Sequence, residues 1–224
     1  MRLGVLLPTF RGGSDDAFAL ADEAARARLD GVFAYDHLWP MGSPRRPSLA
    51  PFALLAAIAR RYDGLVVGPL VARVGLVGTE HLVGEFRTLE RIAPGRVIAA
   101  LGAGDHLSAP ENEAYGLALL SPDVRRALIR ETALALAPVM PVWIGAGAEA
   151  TNDLARELGA TVNLWNADDD RVREVARRGP VNWAGPAPPD LMPRLDALAG
   201  AGATWVILSP EAPIEALGEW RSTR

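Results

Sequence analysis

The chain has 224 residues, a formal net charge of −4 at pH 7 and a sequence pI near 5.5. This length suits one domain that buries roughly 70% of its unfolded surface, and mild acidity without an isolated basic run argues against a nucleic-acid partner. Cysteine and lysine are both absent, which excludes disulfides, thiolate nucleophiles, Schiff-base catalysis and the lysine of a phosphate-binding P-loop.

Two apolar stretches resemble export or membrane signals, and both are too short. Residues 1–10 carry one arginine and a brief apolar run, but no small-residue cleavage site follows, so we expect no secretory signal. Residues 132–148 are apolar yet shorter than a bilayer span, and Pro138 and Pro141 interrupt them. We therefore expect a cytoplasmic protein with no membrane partner.

Eight apolar runs that we interpret as buried strands alternate with amphipathic segments along the chain. Continuous apolar runs are typical of parallel strands that helices cover on both faces. The third run contains Gly68-Pro69, so we do not expect it to be regularly paired throughout. The predicted strands comprise residues 3–7, 32–35, 65–71, 97–101, 141–144, 161–164, 180–183 and 204–208.

Helix signals separate these runs at a spacing that favours a closed barrel over an open sheet. Ser14 followed by two aspartates, and Ser121 followed by proline, are typical helix starts. Pro94-Gly95 ends a third helix, whereas residues 108–120 are predicted to form a long loop with a helical turn. The pattern predicts an α/β protein with the (β/α)8 TIM-barrel fold, formed by residues 1–224 as a single domain.

Polar residues and glycines follow several predicted strands, where the active sites of parallel α/β folds lie. Asp36-His37 follows the second strand, and a carboxylate beside an imidazole suits proton transfer, although a plain loop contact is the alternative. Gly102-Ala103-Gly104 and Gly145-Ala146-Gly147 leave N–H groups free, and the second run opens onto a helix, which favours phosphate over a simple tight turn. The candidate substrate contacts are Trp39, Arg73 and Trp165, with ordinary packing as the alternative for the tryptophans.

The order and spacing of several motifs resemble the bacterial luciferase-like family of flavin- or deazaflavin-dependent oxidoreductases. The resemblance covers nearly the whole chain and rests on the motifs together, since none is diagnostic alone. They are GVLLPTF at residues 4–10, Asp36-His37, TLERIAPGRV and LGAG between residues 88 and 104, ENEAYG at 111–116, PVWIGAG at 141–147 and AGATWV at 201–206.

The resemblance implies an oxidoreductase or monooxygenase that binds FMN or the deazaflavin coenzyme F420 at the strand ends and acts on a small organic substrate. His37 matches the histidine beside the reactive ring in deazaflavin-dependent members, and Asp36 matches its neighbour in the pocket. Leu70-Val71 falls where the family often has a cis peptide under the ring. Because the family's barrels often pair, a homodimer is also expected. The residues that match cofactor-cradling segments are Gly102, Ala103, Gly104, Asp105, Gly145, Ala146 and Gly147.

Other functions stay open at this point. Family members commonly carry an insertion where this chain has almost nothing, between residues 136 and 141, so a shortened barrel that binds a cofactor or partner without turnover is one alternative. Gly145-x-Gly147-x-x-Ala150, with Asp168 about twenty residues later, imitates a dinucleotide fingerprint and suggests an NAD(P)-dependent enzyme. A metal site is not predicted, because the first strand lacks the His-x-His pair of metal hydrolase barrels. The residues weighed for a metal are Asp36, Glu80, His81, Asp105 and His106.

Overall fold

The computed structural model describes residues 1–10, 13–39, 46–104 and 106–223. Strands and helices alternate through these residues, beginning with a strand. The strands are β1 (Arg2–Leu6), β2 (Gly31–Ala34), β3 (Val66–Pro69), β4 (Ala72–Arg73), β5 (Ala99–Gly102), β6 (Val142–Gly145), β7 (Thr161–Trp165), β8 (Val181–Gly185) and β9 (Ala203–Leu208).

The helices cover the outside of the sheet and connect successive strands. Their inner faces are apolar: in the third helix, for example, the buried residues Leu82, Val83, Phe86 and Leu89 recur at helical spacing. A short 3-10 turn, His106–Ser108, precedes the fourth helix. The helices are α1 (Asp15–Arg26), α2 (Pro51–Arg61), α3 (Thr79–Ile92), α4 (Ala109–Ala114), α5 (Pro122–Leu136), α6 (Glu149–Glu157), α7 (Asp169–Ala176), α8 (Leu191–Ala201) and α9 (Ile214–Ser222).

The strands form one parallel sheet whose two ends meet. Their order is β3-β2-β1-β9-β8-β7-β6-β5-β4, and Val67 of β3 forms a parallel bridge with Val97, just before β5. The Val67 N–H donates to the Arg96 carbonyl at 2.8 Å, and the Ile98 N–H donates to the Val67 carbonyl at 3.0 Å. Because β4 also pairs with β5, β3 and β4 are two halves of the third barrel strand. The predicted (β/α)8 barrel is confirmed.

The predicted interruption of the third strand lies between β3 and β4. The Leu70–Val71 peptide bond is cis, as the family resemblance implied. Gly68 allows the neighbouring chain to approach closely, because a Cβ at this position would lie 2.4 Å from the Ile98 carbonyl oxygen. The break brings Leu70 and Val71 to the carboxyl-terminal end of the barrel, where both line a cavity.

Side chains from the strands and from residues directly beside them fill the interior of the barrel. Phe33 stacks on Trp143 with ring centroids 5.4 Å apart, and Trp205 lies edge-on to both rings at 5.8 and 5.5 Å. Gly4 makes room for this aromatic layer, because a Cβ there would lie 2.9 Å from the Phe33 ring. Side chains two positions apart on a strand share a face, so Gly145 follows Trp143 on the interior face of β6.

Two sequence predictions differ from the observed elements. Strand bounds are shifted by one or two residues, as is common at element ends. The long loop predicted for residues 108–120 contains α4, which buries Glu111 and Asn112 instead of apolar side chains. No apolar periodicity therefore marks this helix. Within the described residues, no helix is long and apolar enough to cross a membrane.

Candidate active site

Loops at the carboxyl-terminal end of the barrel enclose a cavity of about 1150 Å³. Ligand pockets usually measure roughly 300–1000 Å³, so this volume admits a cofactor and a second small molecule. The cavity lies where active sites occur in barrels of this kind. The predicted site residues that line it are His37, Leu70, Val71, Arg73, Gly102, Ala103, Gly104, Gly145, Ala146, Gly147 and Trp165.

Val71 and two glycines form the floor of the cavity. A Cβ on Gly102 would lie 2.2 Å from Val71 Cγ2, and a Cβ on Gly145 would lie 3.3 Å from Val71 Cγ1. Leu70 is buried and belongs to the apolar cluster inside the barrel. The floor is apolar and free of side chains at both glycine positions, which suits the face of a planar ring.

We expect Gly102→Ala to destabilise the fold. The added methyl group would overlap Val71 Cγ2, and overpacking of this kind costs about 1–3 kcal/mol. For a chain of this size the cost corresponds to a Tm lowered by about 3–10 °C, measured by thermal unfolding followed by circular dichroism. Gly84→Ala in α3 is the control, because a Cβ there meets nothing within 4 Å and alanine favours helix. An unchanged Tm for Gly102→Ala would show that Val71 moves aside without cost.

His37, Glu111 and Arg73 form a buried hydrogen-bonded network at one side of the cavity. His37 Nδ1 lies 3.0 Å from Glu111 Oε2, and Arg73 Nη1 lies 3.2 Å from the same oxygen. Glu111 Oε1 accepts hydrogen bonds from the backbone N–H groups of Leu38 and, at 3.2 Å, Trp39. The Glu111 and Arg73 side chains are 3% and 5% exposed, against 21% for His37. A carboxylate at Nδ1 fixes the imidazole tautomer, so Nε2 is the nitrogen available to a bound molecule.

Asp36 binds Arg73 of this network and does not line the cavity. Its Oδ2 accepts a hydrogen bond from the Arg73 N–H at 2.9 Å, and its backbone carbonyl accepts one from Arg73 Nε at 3.0 Å. Burial raises the pKa of Asp36, and the N–H group and charge of Arg73 partly offset this effect. Arg73, predicted as a substrate contact, is thus held on both sides, by Asp36 and by Glu111, and also lines the cavity.

Glu111 is the functional candidate that sequence reasoning missed. It belongs to the ENEAYG motif, which supported the family resemblance, but no role was predicted for it. It lies 74 positions from His37 in the chain, so local sequence cannot relate the two residues. The available signal was an acidic residue in a segment without apolar periodicity.

The loop between β6 and α6 has the features of an anion site. Gly147, Ala148 and Thr151 line the cavity, and the first N–H groups of a helix such as α6 have no partner within the helix. A Cβ on Gly147 would meet nothing within 4 Å, so the backbone is open to a ligand there. Helix amino termini favour phosphate through these N–H groups and the helix dipole. Ala146 is engaged differently, since its N–H donates to the Asn163 carbonyl at 3.1 Å.

The described lining of the cavity carries more cations than anions. Arg73, Arg125, Arg126 and Arg171 contribute guanidinium groups, whereas Glu211 is the acidic residue of this lining. Three of these arginines pair with carboxylates outside the lining, Arg73 with Glu111, Arg126 with Asp123 and Arg171 with Glu149. Arg125 binds backbone carbonyls instead, so its charge is the one that would attract an anionic ligand.

Arg125 holds the glycine loop that follows β5. Its Nη1 donates to the Ala103 carbonyl at 3.0 Å and also to the Gly104 carbonyl. Gly104 has φ +64°, a left-handed conformation that residues with a side chain rarely adopt. The turn predicted here is therefore fixed by an arginine from α5. Asp105, predicted to bind the cofactor with this loop, lies outside the described residues.

The two tryptophans predicted to contact substrate occupy different environments. Trp165 ends β7, lines the cavity and is 54% exposed. Trp39 is 5% exposed, packs against Tyr115 with ring centroids 5.6 Å apart and is outside the cavity lining. The structure therefore leaves Trp165 in a position to touch a ligand and gives Trp39 a packing role.

The structure argues against the dinucleotide alternative and gives no support to the metal alternative among the described residues. The Gly145 loop belongs to a closed barrel, so a Rossmann domain is excluded, and Asp168 caps α7 by accepting from the Arg171 N–H at 2.8 Å. His81 is exposed on α3 and lies 3.8 Å from Glu85. Across residues 1–10, 13–39, 46–104 and 106–223, no cluster of three or more potential ligands could hold a metal ion.

Comparisons with known proteins concern the sequence and the fold of the chain. No protein-family model matches the chain. The F420-dependent glucose-6-phosphate dehydrogenase of Beutenbergia cavernae is 32% identical over 147 residues, which are 65% of this chain and 42% of the relative. The match thus spans less than half of that protein's length.

Two solved structures share the fold over the whole chain. An F420-dependent secondary alcohol dehydrogenase, in complex with an F420-acetone adduct, superposes with a TM-score of 0.82 at 15% identity, covering 100% of this chain and 99% of the other. A monooxygenase from Streptomyces bottropensis superposes with a TM-score of 0.73 at 13% identity, covering 99% and 97%. The chain therefore shares its barrel fold with these two enzymes and part of its sequence with an F420-dependent dehydrogenase.

Proposed function

We propose that the protein is an oxidoreductase that uses F420 or FMN to act on a small organic substrate. The observation that carries this proposal is the apolar floor of Val71, Gly102 and Gly145, with the His37–Glu111 pair at its edge. When bound, such a cofactor supplies the hydride or electron transfer, and the protein supplies position and electrostatics. The curated relative and the two solved structures are redox enzymes, which supports a flavin or deazaflavin cofactor without distinguishing the two.

The floor and the anion site fit the two ends of such a cofactor. Val71 would contact the ring face, and side chains larger than glycine at positions 102 and 145 would displace Val71 toward the ring. The N–H groups of Gly147 and Ala148 would donate to the phosphate at the start of α6. Arg171 lines the cavity and already binds Glu149 Oε2 at 2.9 Å, so it is oriented toward this end of the cavity.

His37 would move a proton between its Nε2 and the substrate. Glu111 accepts from Nδ1 and stabilises the imidazolium form, and Arg73 balances the charge of Glu111 when His37 is neutral. The His37 side chain is 21% exposed, which leaves it accessible from the cavity while its partners are shielded. This arrangement matches a general acid–base oriented by a second group.

We expect His37→Asn to lower turnover about 100-fold or more while cofactor affinity stays within about twofold, because general acid–base groups contribute roughly 10²–10⁴ to rate. Turnover is measured by steady-state kinetics with an alcohol or ketone that the natural chain converts, and cofactor affinity is measured by isothermal titration calorimetry. Full turnover in a variant that binds cofactor would remove the proposed role of His37.

The proposal is tested first by calorimetric titration of the full chain with FMN and, separately, with F420. Binding of one cofactor near one equivalent, followed by turnover of added alcohols, ketones or aldehydes, is the expected result. Stoichiometric binding without redox of any substrate tried would favour the shortened, non-catalytic barrel. Binding of NAD(P)H alone would favour the nicotinamide-dependent alternative.

Three further features stay predictions. They are the cytoplasmic location, the pairing of two barrels into a homodimer, and the assignment of residues 1–224 to one domain. Light scattering coupled to size-exclusion chromatography measures the mass of the particle and therefore decides between monomer and dimer.

A further inference from the structure

We propose that the substrate is an uncharged, planar aromatic molecule that lies against a wall formed by Phe10, Tyr35 and Trp165. This inference rests on the proposed function, because it assigns the part of the cavity that remains beside the cofactor. The three residues are called the aromatic wall below. Phe10 and Tyr35 follow β1 and β2, Trp165 ends β7, and all three line the cavity. The glycine floor and the anion site belong to β5 and β6.

The aromatic wall is continuous and extends to the proposed proton-transfer residue. Phe10 stacks on Tyr35 with ring centroids 5.2 Å apart and an interplanar angle of 14°. Trp165 lies edge-on to Tyr35 at 6.2 Å. His37 lies 6.1 Å from Phe10 and 6.5 Å from Tyr35. A flat molecule that stacks on one of these rings would meet the tilted neighbouring rings at their edges and would lie close to His37.

The wall presents apolar surface that a ligand would cover. Trp165 is 54% exposed. Covering a tryptophan side chain so that it leaves water is energetically favourable. Burial, with a smaller contribution from the charge of Glu211, raises the pKa of Tyr35 to about 12. The Tyr35 hydroxyl therefore stays neutral under ordinary conditions and can donate to, or accept from, an uncharged polar group on the ligand.

The charges around the wall disfavour an anionic substrate. Among the described residues, the guanidinium groups that lie over aromatic rings belong to Arg2, Arg61 and Arg194, and none of them lies over the wall. Glu211 places negative charge close enough to Tyr35 to raise its pKa. A sugar phosphate, the substrate named for the curated relative, is polar and anionic, so it suits guanidinium groups such as those of Arg125 and Arg171 and does not suit the aromatic wall.

The test compares three probes on the full chain loaded with whichever cofactor binds. The probes are 2-naphthol, its saturated and non-planar analogue decahydro-2-naphthol, and glucose 6-phosphate, each titrated by ligand-observed NMR. We expect 2-naphthol to bind about fivefold tighter than the saturated analogue, since aromatic contacts add to area burial. Glucose 6-phosphate should show no binding at concentrations on the order of 1 mM.

Two variants locate the binding. Trp165→Ala should weaken 2-naphthol binding about fivefold or more, because it removes one ring of the wall. Tyr115→Ala is the matched control: Tyr115 is also 54% exposed but lies outside the cavity lining, so the affinity should not change. The inference would be overturned if glucose 6-phosphate bound more tightly than 2-naphthol. It would also be overturned if Trp165→Ala left the affinity for 2-naphthol unchanged.

The same titrations separate this inference from the proposed function. If neither FMN nor F420 binds, yet 2-naphthol binds with the expected dependence on Trp165, the proposed function fails and the ligand class stands. If a cofactor binds, the loaded protein turns over sugar phosphates and Trp165→Ala does not change that turnover, the proposed function stands and the aromatic substrate is excluded.

Discussion

Gly147→Val is expected to reduce cofactor affinity about 100-fold or more without changing the stability of the free protein. A Cβ at this position meets nothing within 4 Å in the structure, so the barrel itself does not need glycine there. A phosphate at the start of α6 would need that space, and two lost hydrogen bonds to a charged group, at about 1.5–3 kcal/mol each, correspond to at least that factor. Calorimetric titration with FMN and with F420 measures the affinity.

The matched control for this variant is Gly64→Val. Gly64 precedes β3 at the opposite end of the barrel, and a Cβ there also meets nothing within 4 Å. Both variants should unfold within about 1–2 °C of the natural chain, as surface substitutions away from special features usually do. Gly104 is a poorer choice, since its φ of +64° would strain any side chain. Equal cofactor affinity for Gly147→Val and Gly64→Val would move the phosphate away from the β6–α6 loop.

Glu111→Gln is expected to lower the Tm by about 6–20 °C and turnover by at least about 100-fold. Glu111 Oε1 accepts hydrogen bonds from the N–H groups of Leu38 and Trp39. Its Oε2 is hydrogen-bonded to His37 Nδ1 and forms an ion pair with Arg73. A glutamine has one oxygen and one NH2 group. Its NH2 group would face either the N–H groups of Leu38 and Trp39 or the side chains of His37 and Arg73, and a donor would then meet other donors. Removing one partner of a buried ion pair costs about 3–5 kcal/mol, and proteins of this size lose roughly 2–4 °C per kcal/mol.

Glu113→Gln tests whether this effect is specific to the network. Glu113 lies on the same short helix, α4, but faces solvent, so its neutralisation should change the free energy of unfolding by no more than about 0.5 kcal/mol. Thermal unfolding and steady-state kinetics are measured on both variants under the same conditions. A Glu111→Gln protein with normal Tm and turnover would mean that the pair of His37 and Glu111 has no role in either folding or catalysis.

The barrel was predictable because its strands have a strong local signal. Each parallel strand is buried on both faces, so it appears as an apolar run, and the helices between them carry caps and periodic apolar residues. The split of the third strand was also visible, since Gly68-Pro69 marks it. Helix α4 was predicted only as a helical turn within a long loop, because Glu111 and Asn112 are its buried residues and polar residues that face inward leave no hydrophobic pattern.

The site was predictable only in part, because much of it depends on contacts between distant residues. The glycine loops and His37 follow strands directly, and chain order alone brings strand ends together in a barrel. The His37–Glu111 contact joins residues 74 positions apart, and the aromatic wall joins residues at or after the ends of the first, second and seventh strands. Trp39 follows the second strand as His37 does, yet it turns away and packs on Tyr115. Side-chain direction in a loop cannot be derived from position along the chain.

The layer of Phe33, Trp143 and Trp205 inside the barrel gives the protein a built-in optical probe. Trp143 precedes Gly145 on the interior face of β6, so its indole lies just beneath the floor on which the cofactor ring would rest. Tryptophans shielded from water emit at shorter wavelength than exposed ones, and a flavin or deazaflavin absorbs light in that range. Excitation energy from Trp143 and Trp205 would pass to a ring bound above them, so cofactor occupancy would be read as quenched ultraviolet emission without any label.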